Sequence, residues 1–501
     1  MLKYFSYSDE IVLFWDIKNG AALYEIFIDG KKRGESKKTF FRAGGLLPDT
    51  AYKIAVKALS ESGKSLIVHT KICRTGKRKK DLNVTDSPYN AKGDGKTVNT
   101  CAIQRAIDDC GKNRRVVIPE GVFLTGALRL CSGVELYIEK GGTIKGSGKK
   151  EDYLPKIRSR FEGKELDCYS SLLNVGILSR SENTGEKAGV KNVMIHGHGK
   201  IIGGGEELLF DILGIRGTSL EERRRKLLSY QEDLAADKEE KHRTRGRLIN
   251  ISSAKGVIID GLTLGNSPSW NVHIIYSKDV VTCGLKIFSD GIWNGDGWDP
   301  DSSENCTIFD CEFDTGDDCI AIKSGKNPEG NMIGKPAENI DIFSCSVKRG
   351  RSHGVAIGSE VSGGIKGVRI WDCDFSNSFF GVHIKTTKKR GGYIKDVKVK
   401  NSKISRVMIR EVGYNDDGEG AGELTEISGL KFDDLKIEYN SGDPNFGAEA
   451  DSYVYIDGFS GDESKVRDIT FKNVTVNNRE NLKIYDVKNC TDVMFNGKKI
   501  K

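Results

Sequence analysis

The sequence predicts an all-β protein in which a small β-sandwich precedes a right-handed parallel β-helix. Two observations lead to this fold class. Residues 10 to about 72 alternate apolar and polar side chains at period two, with turn signals between the runs. From about residue 190 the chain repeats one template of short strands and polar turns at steps of 23 to 34 residues. Such periods with strand content are typical of stacked-strand solenoids.

Short strands without helices fill the N-terminal segment. They include IVLFWD (Ile11–Asp16) and LYEIFIDG (Leu23–Gly30), a pattern typical of a β-sandwich. The segment resembles a fibronectin type III domain, because Trp15 lies where that family has a core tryptophan and Leu46–Tyr52 matches the family's L-x-P-x-T-x-Y tyrosine corner. We therefore predict a fibronectin type III-like sandwich over residues 1–75, and we assign it no chemistry.

A basic linker over residues 76–82 is predicted to lead into a β-helix domain that spans residues 83–501. The linker contains the run KRKK, which we interpret as a solvated connection. After it, Thr100 is a candidate helix N-cap. The apolar residues that follow recur at helical spacing and predict a helix closing one end of the domain: Ile103, Ala106 and Ile107.

The repeats predict one coil of the β-helix each. Measured between equivalent apolar positions, the successive steps are 23, 26, 34, 28 and 26 residues, and the longest step holds a Gly-, Pro- and Asn-containing loop over residues 326–339. A leucine-rich repeat is disfavoured because its L-x-x-L-x-L signature is missing. Ser219–Glu240 breaks the pattern, and its strong helix formers predict a helix inserted between coils. The positions used are Val257, Val280, Cys306, Ile340, Val368 and Ile394.

Bulk composition excludes several classes of function. A net charge of +7 over 501 residues is a mild bias, without the concentrated basic face of a dedicated nucleic-acid binder. No apolar run reaches membrane-spanning length, and the first residues lack the apolar segment of a secretion signal. Twelve cysteines without a C-x-x-C pair or a metal-like Cys/His spacing favour reduced thiols. We therefore predict a cytoplasmic protein with no nucleic-acid partner, no membrane partner and no bound metal.

An acidic cluster is the main functional signal. The span from NGDGWDPD (Asn294–Asp301) to DTGDD (Asp314–Asp318) holds seven aspartates in 25 residues. Acidic turns or a calcium site are the simpler interpretations. Asp296 and Asp317 are 21 residues apart, close to one coil, and residues one coil apart stack at about 4.8 Å. Carboxylates this close repel, so one holds a proton near neutral pH and can serve as an acid beside ionised bases.

Three basic side chains are predicted to extend this cluster. His353 falls about one coil after Asp317 once the inserted loop is subtracted, and His383 and Lys385 follow on the next coil. Asp317 and Asp318 are adjacent in sequence and can serve one site only if the chain bends at Gly316. We therefore expect Asp296 and Asp317 to lie in one column of an open groove, followed by the three basic side chains.

Four motifs in order make residues of about 83–501 resemble glycoside hydrolase family 28, the polygalacturonases, which are right-handed parallel β-helices. The family's N-x-D corresponds to Asn294–Asp296, its D-D to Asp317-Asp318, its H-G to His353-Gly354 and its R-I-K to His383–Lys385. The ordered set is specific, whereas any one motif alone is weak. The resemblance implies a glycosidase that cleaves the α-1,4-galacturonosidic bonds of homogalacturonan or oligogalacturonides with inversion.

The resemblance also implies roles for single residues. Asp317 would be the general acid, and Asp296 and Asp318 would activate the attacking water. His353 would help to set the protonation state of the acid, and Lys385 would pair with a galacturonate carboxylate. No cofactor is needed, and inversion implies carboxyl groups about 6.5–9.5 Å apart.

Four further residues are substrate-binding candidates: His383, Asn294, Asp299 and Trp270. Asp299 is equally well explained as a cap of the turn around Pro300, and Trp270 as a packing residue. His383 departs from the family's arginine, and an imidazole does not replace a guanidinium fork. A modified pectic substrate, rhamnogalacturonan or xylogalacturonan, is therefore the second hypothesis.

Two other function classes and the mode of action complete the predictions. A calcium-dependent uronate lyase would share the solenoid but would use an acidic calcium site with a basic proton abstractor. A non-catalytic β-helix binding protein would be indifferent to loss of Asp317. The inserts at 326–339 and 410–424 resemble those of exo-acting enzymes, and a cytosolic location suits trimming of short oligogalacturonides. We therefore favour exo action over endo action.

Overall fold

The computed structural model describes residues 1–178, 189–349, 353–438, 452–477 and 482–501. They form two compact units. The first is Met1–Asp81 with Gly111–Arg115, and the second is Leu82–Cys110 with Val116–Lys501. Within the described residues, none of the helices is both long and apolar enough to cross a membrane.

The first unit contains two antiparallel sheets of three and four strands. Alternate residues of both sheets, including Trp15, Ile26 and Ile54, are buried in a common core. The hydroxyl of Tyr52 accepts a hydrogen bond from the backbone amide of Leu47 at 2.8 Å, as a tyrosine corner requires. The fibronectin type III resemblance itself stays a prediction. In spatial order the strands are Leu2–Ser6, Glu10–Trp15 and Phe40–Gly44, then Lys31–Ser36, Leu23–Ile28, Ala51–Leu59 and Ser65–Arg74.

The second unit is a right-handed parallel β-helix, which confirms the predicted fold class. A typical coil contributes three strands. One strand of each coil belongs to a sheet with eleven strands among the described residues, here called the floor sheet. Its strands are Leu128–Leu130, Leu173–Val175, Ile249–Ser252, Val272–Ile275, Trp298–Asp301, Ile320–Ile322, His353–Ile357, Phe380–Thr386, Val407–Glu411, Ser452–Asp457 and Lys483–Lys488.

The other faces carry a sheet with 24 strands among the described residues, parallel except for its last pair. Its strands are Lys80–Asn83, Asp94–Val98, Arg114–Ile118, Gly121–Thr125, Glu135–Ile138, Gly142–Gly146, Val190–Gly197, Lys200–Ile202, Ala254–Asp260, Thr263–Gly265, Lys278–Cys283, Lys286–Phe288, Glu304–Phe309, Glu312–Asp314, Ala337–Phe343, Ser346–Val347, Ile365–Trp371, Asp374–Phe375, Tyr393–Ile404, Glu426–Ile437, Val466–Lys472, Thr475–Val476, Thr491–Phe495 and Lys498–Lys499.

The repeat positions stack largely as predicted. Val257 pairs with Val280 and Val280 with Cys306 in parallel register, and these side chains are fully buried in the coil interior. Burying a side chain of this size stabilises the fold by about 1.5–3 kcal/mol. The last predicted step is wrong, because Val368 pairs with Val397, 29 residues on, instead of with Ile394.

Asp, Asn and Gly residues with a left-handed backbone conformation accompany this register. Asp279, Asn305 and Asn339 each adopt a left-handed backbone conformation one residue before the stacked apolar position, and Gly367 does so in the next coil. Asn, Asp and Gly tolerate this conformation best. Asn339 Nδ2 donates to Asn305 Oδ1 at 3.2 Å, and Asn305 Nδ2 donates to Asp279 Oδ1 at 3.1 Å. The repeated bend therefore has a sequence signal of its own.

The helices lie outside the coils' strand pattern. The helix Thr100–Asp108 buries Ile103, Ala106 and Ile107 as predicted, but Asn99, not Thr100, is its N-cap residue. The helix predicted over Ser219–Glu240 is shorter and spans Leu220–Glu232. It is capped by Ser219, whose side chain accepts from the Glu222 amide. The remaining α-helices are Gly205–Leu213 and Glu329–Ile333, and the 3-10 helices are Lys150–Tyr153, Leu234–Ala236, Lys241–Thr244 and Glu463–Lys465. An antiparallel hairpin, Ile157–Phe161 and Lys164–Cys168, is also inserted between coils.

Candidate active site

The floor sheet brings the predicted motifs together. Trp298 pairs with Ile320, and Ile320 pairs with Val355. The positions two residues earlier on these coils are Asp296, Asp318 and His353, so these three residues lie in line. The predicted neighbour of Asp296 was Asp317, and this is corrected to Asp318, because the coil from Trp298 to Ile320 has 22 residues instead of 21.

The two adjacent aspartates lie in a bend, not in a strand. The bend follows the strand Glu312–Asp314 and precedes Ile320–Ile322. The backbone amide of Asp318 donates to Asp317 Oδ1 at 3.0 Å. A Cβ at Gly316 would lie 2.8 Å from the Ser289 carbonyl oxygen, so glycine is required there. Because strand alternation does not apply in a bend, both carboxyl groups can face one site.

Asp318 is the ionised member of the pair. Lys385 Nζ donates to its Oδ2 at 3.0 Å, and His353 Nδ1 contacts its Oδ1. Burial alone would raise the pKa of Asp318, but the charges of Lys385 and His353 outweigh burial and hold that pKa well below its ordinary value. The partly exposed Asp317 has the opposite shift, because burial and the adjacent Asp318 charge raise its pKa. The geometry thus supplies a proton donor beside a base.

His353 and His383 form a chain that ends on Asp318. A carboxylate only accepts hydrogen bonds, so Nδ1 of His353 donates to Asp318, and Nε2 of His353 is hydrogen-bonded to Nδ1 of His383 at 3.1 Å. Burial and the neighbouring His353 hold the pKa of His383 well below its ordinary value. His353 therefore contacts Asp318, one of the two predicted bases beside which it was expected. Its influence on the protonation state of the acid stays a prediction.

The predicted contact of His383 with a sugar is also corrected. Its imidazole is 1% exposed, and it packs edge-on against His353 and Phe380. The imidazole of His383 therefore contacts His353 and is not available to a sugar. Lys385 remains a candidate for a substrate carboxylate, because an ammonium has three donors and Asp318 takes one of them.

A second pair of carboxyl groups lies on the preceding coil. Asp296 Oδ2 accepts from Lys323 Nζ at 3.2 Å. Asp299 is fully buried, and neither of its carboxyl oxygens has a hydrogen-bond partner among the described residues. Burial and mutual repulsion raise the pKa of Asp296 well above its ordinary value, and burial followed by the charge of Asp318 does the same for Asp299. Of the two predicted bases, Asp318 therefore has the charge state of a base at neutral pH. The predicted contact of Asp299 with the substrate is corrected, because its side chain is fully buried beneath the site.

We expect Asp299→Asn to gain stability relative to the wild type as pH rises above about 4, the ordinary pKa of an unfolded aspartate. The pKa of Asp299 is raised in the fold. The protonated carboxyl group therefore stabilises the wild type at low pH, and this stabilisation is lost as pH rises through the folded pKa. Urea unfolding between pH 4 and pH 8 measures the difference.

Asp301→Asn is the matched control. Arg160 Nη1 donates to Asp301 Oδ1 at 2.9 Å, and the pKa of Asp301 is lowered. Asp301→Asn should therefore destabilise the fold. A difference between Asp299→Asn and wild type that is independent of pH would contradict the assignment.

Two further substrate-binding candidates have structural partners. Trp270 is 2% exposed and stacks on Phe161 with ring centres 4.6 Å apart, while Lys323 Nζ lies 4.6 Å from its ring centre. Its predicted contact with a sugar ring is therefore corrected to packing beneath Lys323. Asn294 is half-buried, and its Oδ1 accepts from Arg245 Nη2 at 2.6 Å.

The hairpin Ile157–Cys168 covers the floor sheet on the N-terminal side of the site. Its Phe161 stacks on Trp270, and its Arg160 bonds Asp301 and Ser302 at 2.9 Å each. These contacts bury Asp299 and Asp301, whose side chains would otherwise face outward from the strand Trp298–Asp301. At the hairpin tip, the carbonyl oxygen of Gly163 accepts from the backbone amide of Lys326 at 3.1 Å. The hairpin thus covers the floor sheet one coil before Asp317 and Asp318.

Sequence reasoning missed Lys323 and Arg160. A usable signal existed for Lys323, which directly follows the fully apolar strand Ile320–Ile322, since buried lysines need a charged partner. Burial lowers the pKa of Lys323, but the carboxyl groups of Asp296 and Asp299 raise it. The net result is a pKa well above the ordinary value of a lysine. No local pattern marked Arg160, whose partner Asp301 is 141 residues away.

Comparison with known proteins agrees with this geometry. The profile of glycosyl hydrolases family 28 matches residues 179–495. A probable polygalacturonase of Vitis vinifera is 31% identical over 326 residues, covering 62% of this chain and 58% of that protein. An exo-poly-alpha-D-galacturonosidase of Dickeya chrysanthemi is 28% identical over 388 residues, covering 74% of this chain and 63% of that protein. The chain thus spans about three fifths of the length of these curated relatives.

A solved structure agrees as well. The hyperthermoactive exopolygalacturonase of Thermotoga maritima is 30% identical, with a TM-score of 0.64 over 84% of this chain and 93% of that one. The matched profile covers more than half of the chain and contains the aspartates, histidines and lysines of this site. This chain therefore belongs to the glycosyl hydrolases of family 28.

Proposed function

We propose that the protein hydrolyses the α-1,4-galacturonosidic bonds of pectic homogalacturonan or its oligomers, with inversion and from the chain end. The observation that carries the proposal is the pairing of Asp317, whose pKa is raised, with Asp318, whose pKa is held low by Lys385 and His353. Inverting glycosidases need one protonated and one ionised carboxyl group around a single bond.

The steps follow from these charge states. Asp317 gives its proton to the glycosidic oxygen as the bond to the anomeric carbon breaks. Water attacks that carbon from the opposite face and loses a proton to Asp318, while Asp296 helps to position the water. Lys385, which lies beside Asp318, attracts the carboxylate of a uronic acid.

End-wise cleavage is supported by the covered floor sheet. The hairpin Ile157–Cys168 lies over the coil that precedes the acid and base, and a polymer running through the site would need that space. The similar Thermotoga maritima and Dickeya chrysanthemi proteins are named as exo-acting enzymes. The cytoplasmic location predicted from the sequence stays a prediction.

The test is product analysis on oligogalacturonides of defined length, with anomers read by NMR during the first turnovers. We expect β-configured product, the inverted anomer, and removal of one small product from the chain end. An initial α-anomer would reject inversion. Absorbance from an unsaturated product would indicate a lyase, and absence of cleavage would indicate a binding protein.

A modified pectic substrate is the second candidate, because His383 replaces the guanidinium expected of the family and is directed to His353. The same assay on rhamnogalacturonan and xylogalacturonan oligomers separates the two. Faster cleavage of either substrate than of oligogalacturonide would favour it.

A further inference from the structure

A loop over residues 413–419, here called the latch loop, connects two parts of the site. It follows the floor-sheet strand Val407–Glu411. At its start the ring centre of Tyr414 lies 5.9 Å from Lys385 Nζ, and Asn415 Nδ2 donates to Glu360 Oε1 at 3.3 Å. The loop therefore begins beside the lysine that holds Asp318.

At its far end the latch loop is held by one carboxylate. Asp417 forms ion pairs with Lys164 at 2.8 Å, with Arg243 at 3.5 Å and with Lys326. Lys164 belongs to the covering hairpin, Arg243 to the 3-10 helix Lys241–Thr244, and Lys326 to the loop after Ile320–Ile322. Three separate insertions thus converge on a single side chain.

Burial of Lys326 makes loss of its ion pair with Asp417 unfavourable. Its side chain is fully buried, and its Nζ also bonds Asn415 Oδ1 at 2.6 Å. Burial lowers the pKa of Lys326, and Asp417 opposes that effect. Without Asp417 the buried ammonium would lose its anionic partner among the described residues, which is unfavourable.

The backbone of the latch loop is also tied down. Asn327 Nδ2 donates to the Glu419 carbonyl oxygen at 2.8 Å, and Lys389 Nζ donates to the Asp416 carbonyl oxygen at 2.9 Å. These contacts come from coils on both sides of the strand His353–Ile357. Contacts therefore connect Lys385, the latch loop and the tip of the hairpin in an unbroken series.

We propose that Asp417 is a specificity-determining residue, whose ion pairs fasten the latch loop to the hairpin and so restrict the site to the terminal residues of a galacturonan chain. The inference rests on the proposed function. The partners described for Asp417 are Lys164, Arg243 and Lys326, so Asp417 acts by shaping access to the site and not by transferring a proton. Galacturonan is a polyanion, and a polymer entering this end would have to compete with Asp417 for the same cations.

The test compares viscosity loss with bonds cleaved. For Asp417→Ala acting on polygalacturonate, we expect viscosity to fall severalfold more for each new reducing end than with the wild type. Longer products should appear early, while digalacturonate hydrolysis is retained because the acid and base are untouched. Glu419→Gln is the matched control. It removes an exposed carboxylate from the same loop and leaves the backbone carbonyl of Glu419, which accepts from Asn327, unchanged, so it should behave as the wild type.

A second variant keeps the test decisive if Asp417→Ala does not fold. Lys164→Met removes the pair between loop and hairpin but leaves Lys326 with its partner, so a smaller change in the same direction is expected. If the wild type acts end-wise and the folded variants keep its ratio of viscosity loss to bonds cleaved, the role of Asp417 is overturned while the proposed function stands. If the wild type itself cleaves internally, end-wise action is wrong and the inference falls with it.

Discussion

Asp317→Asn is expected to lower kcat by about 10²- to 10⁴-fold, the usual contribution of a general acid. The amide is nearly isosteric with the carboxyl group but cannot give a proton to the glycosidic oxygen. The side chain is partly exposed, and the amide keeps its size and shape, so the fold should keep its stability. Initial rates on an oligogalacturonide, together with urea unfolding, measure both effects.

A matched control and a chemical test sharpen this prediction. Glu312→Gln removes an exposed carboxylate five residues earlier on the same coil and should leave the rate unchanged. A substrate with an activated leaving group needs little protonation, so it should recover most of the lost rate in Asp317→Asn. Full activity of that variant on the natural substrate would remove Asp317 from the role of acid.

Asp318→Asn is expected to abolish activity and also to destabilise the fold by about 3–5 kcal/mol, the usual cost of removing one partner from a buried ion pair. Asp318 is 3% exposed and bonds both Lys385 and His353. Its removal leaves the Lys385 ammonium, which is 8% exposed, without its carboxylate. The urea midpoint of the β-helix unit measures the loss.

The pH dependence of that loss identifies its cause. The pKa of Asp318 is depressed in the fold, so its stabilising effect is fully present above the unfolded value of about 3.9 and is lost as pH falls through the folded value. The gap between wild type and Asp318→Asn should therefore shrink below about pH 4. The double variant with Lys385→Met, which removes the pair entirely, should recover part of the stability. An equal stability loss in Asp317→Asn and Asp318→Asn would contradict the distinct charge states.

These two predictions separate residues that the sequence treats alike. Asp317 and Asp318 are neighbours in one motif, and nothing local distinguishes an acid from a base. The distinction comes from Lys385, which is 67 residues from Asp318 in the chain, and from His353 on the coil between them. Charge states of this kind depend on spatial neighbours, so they require the tertiary structure.

By itself the sequence determined the β-helix, the stacking of Val257, Val280 and Cys306, and the order of motifs that meet on the floor sheet. These features depend on local alternation and on a repeat length, which are written along the chain. The tertiary structure decided that Asp296 aligns with Asp318, that His383 and Trp270 are buried, and that the hairpin Ile157–Cys168 covers the groove. Each of these depends on contacts between coils or across insertions, where a one-residue change in coil length or a distant ion pair decides which side chains face the site.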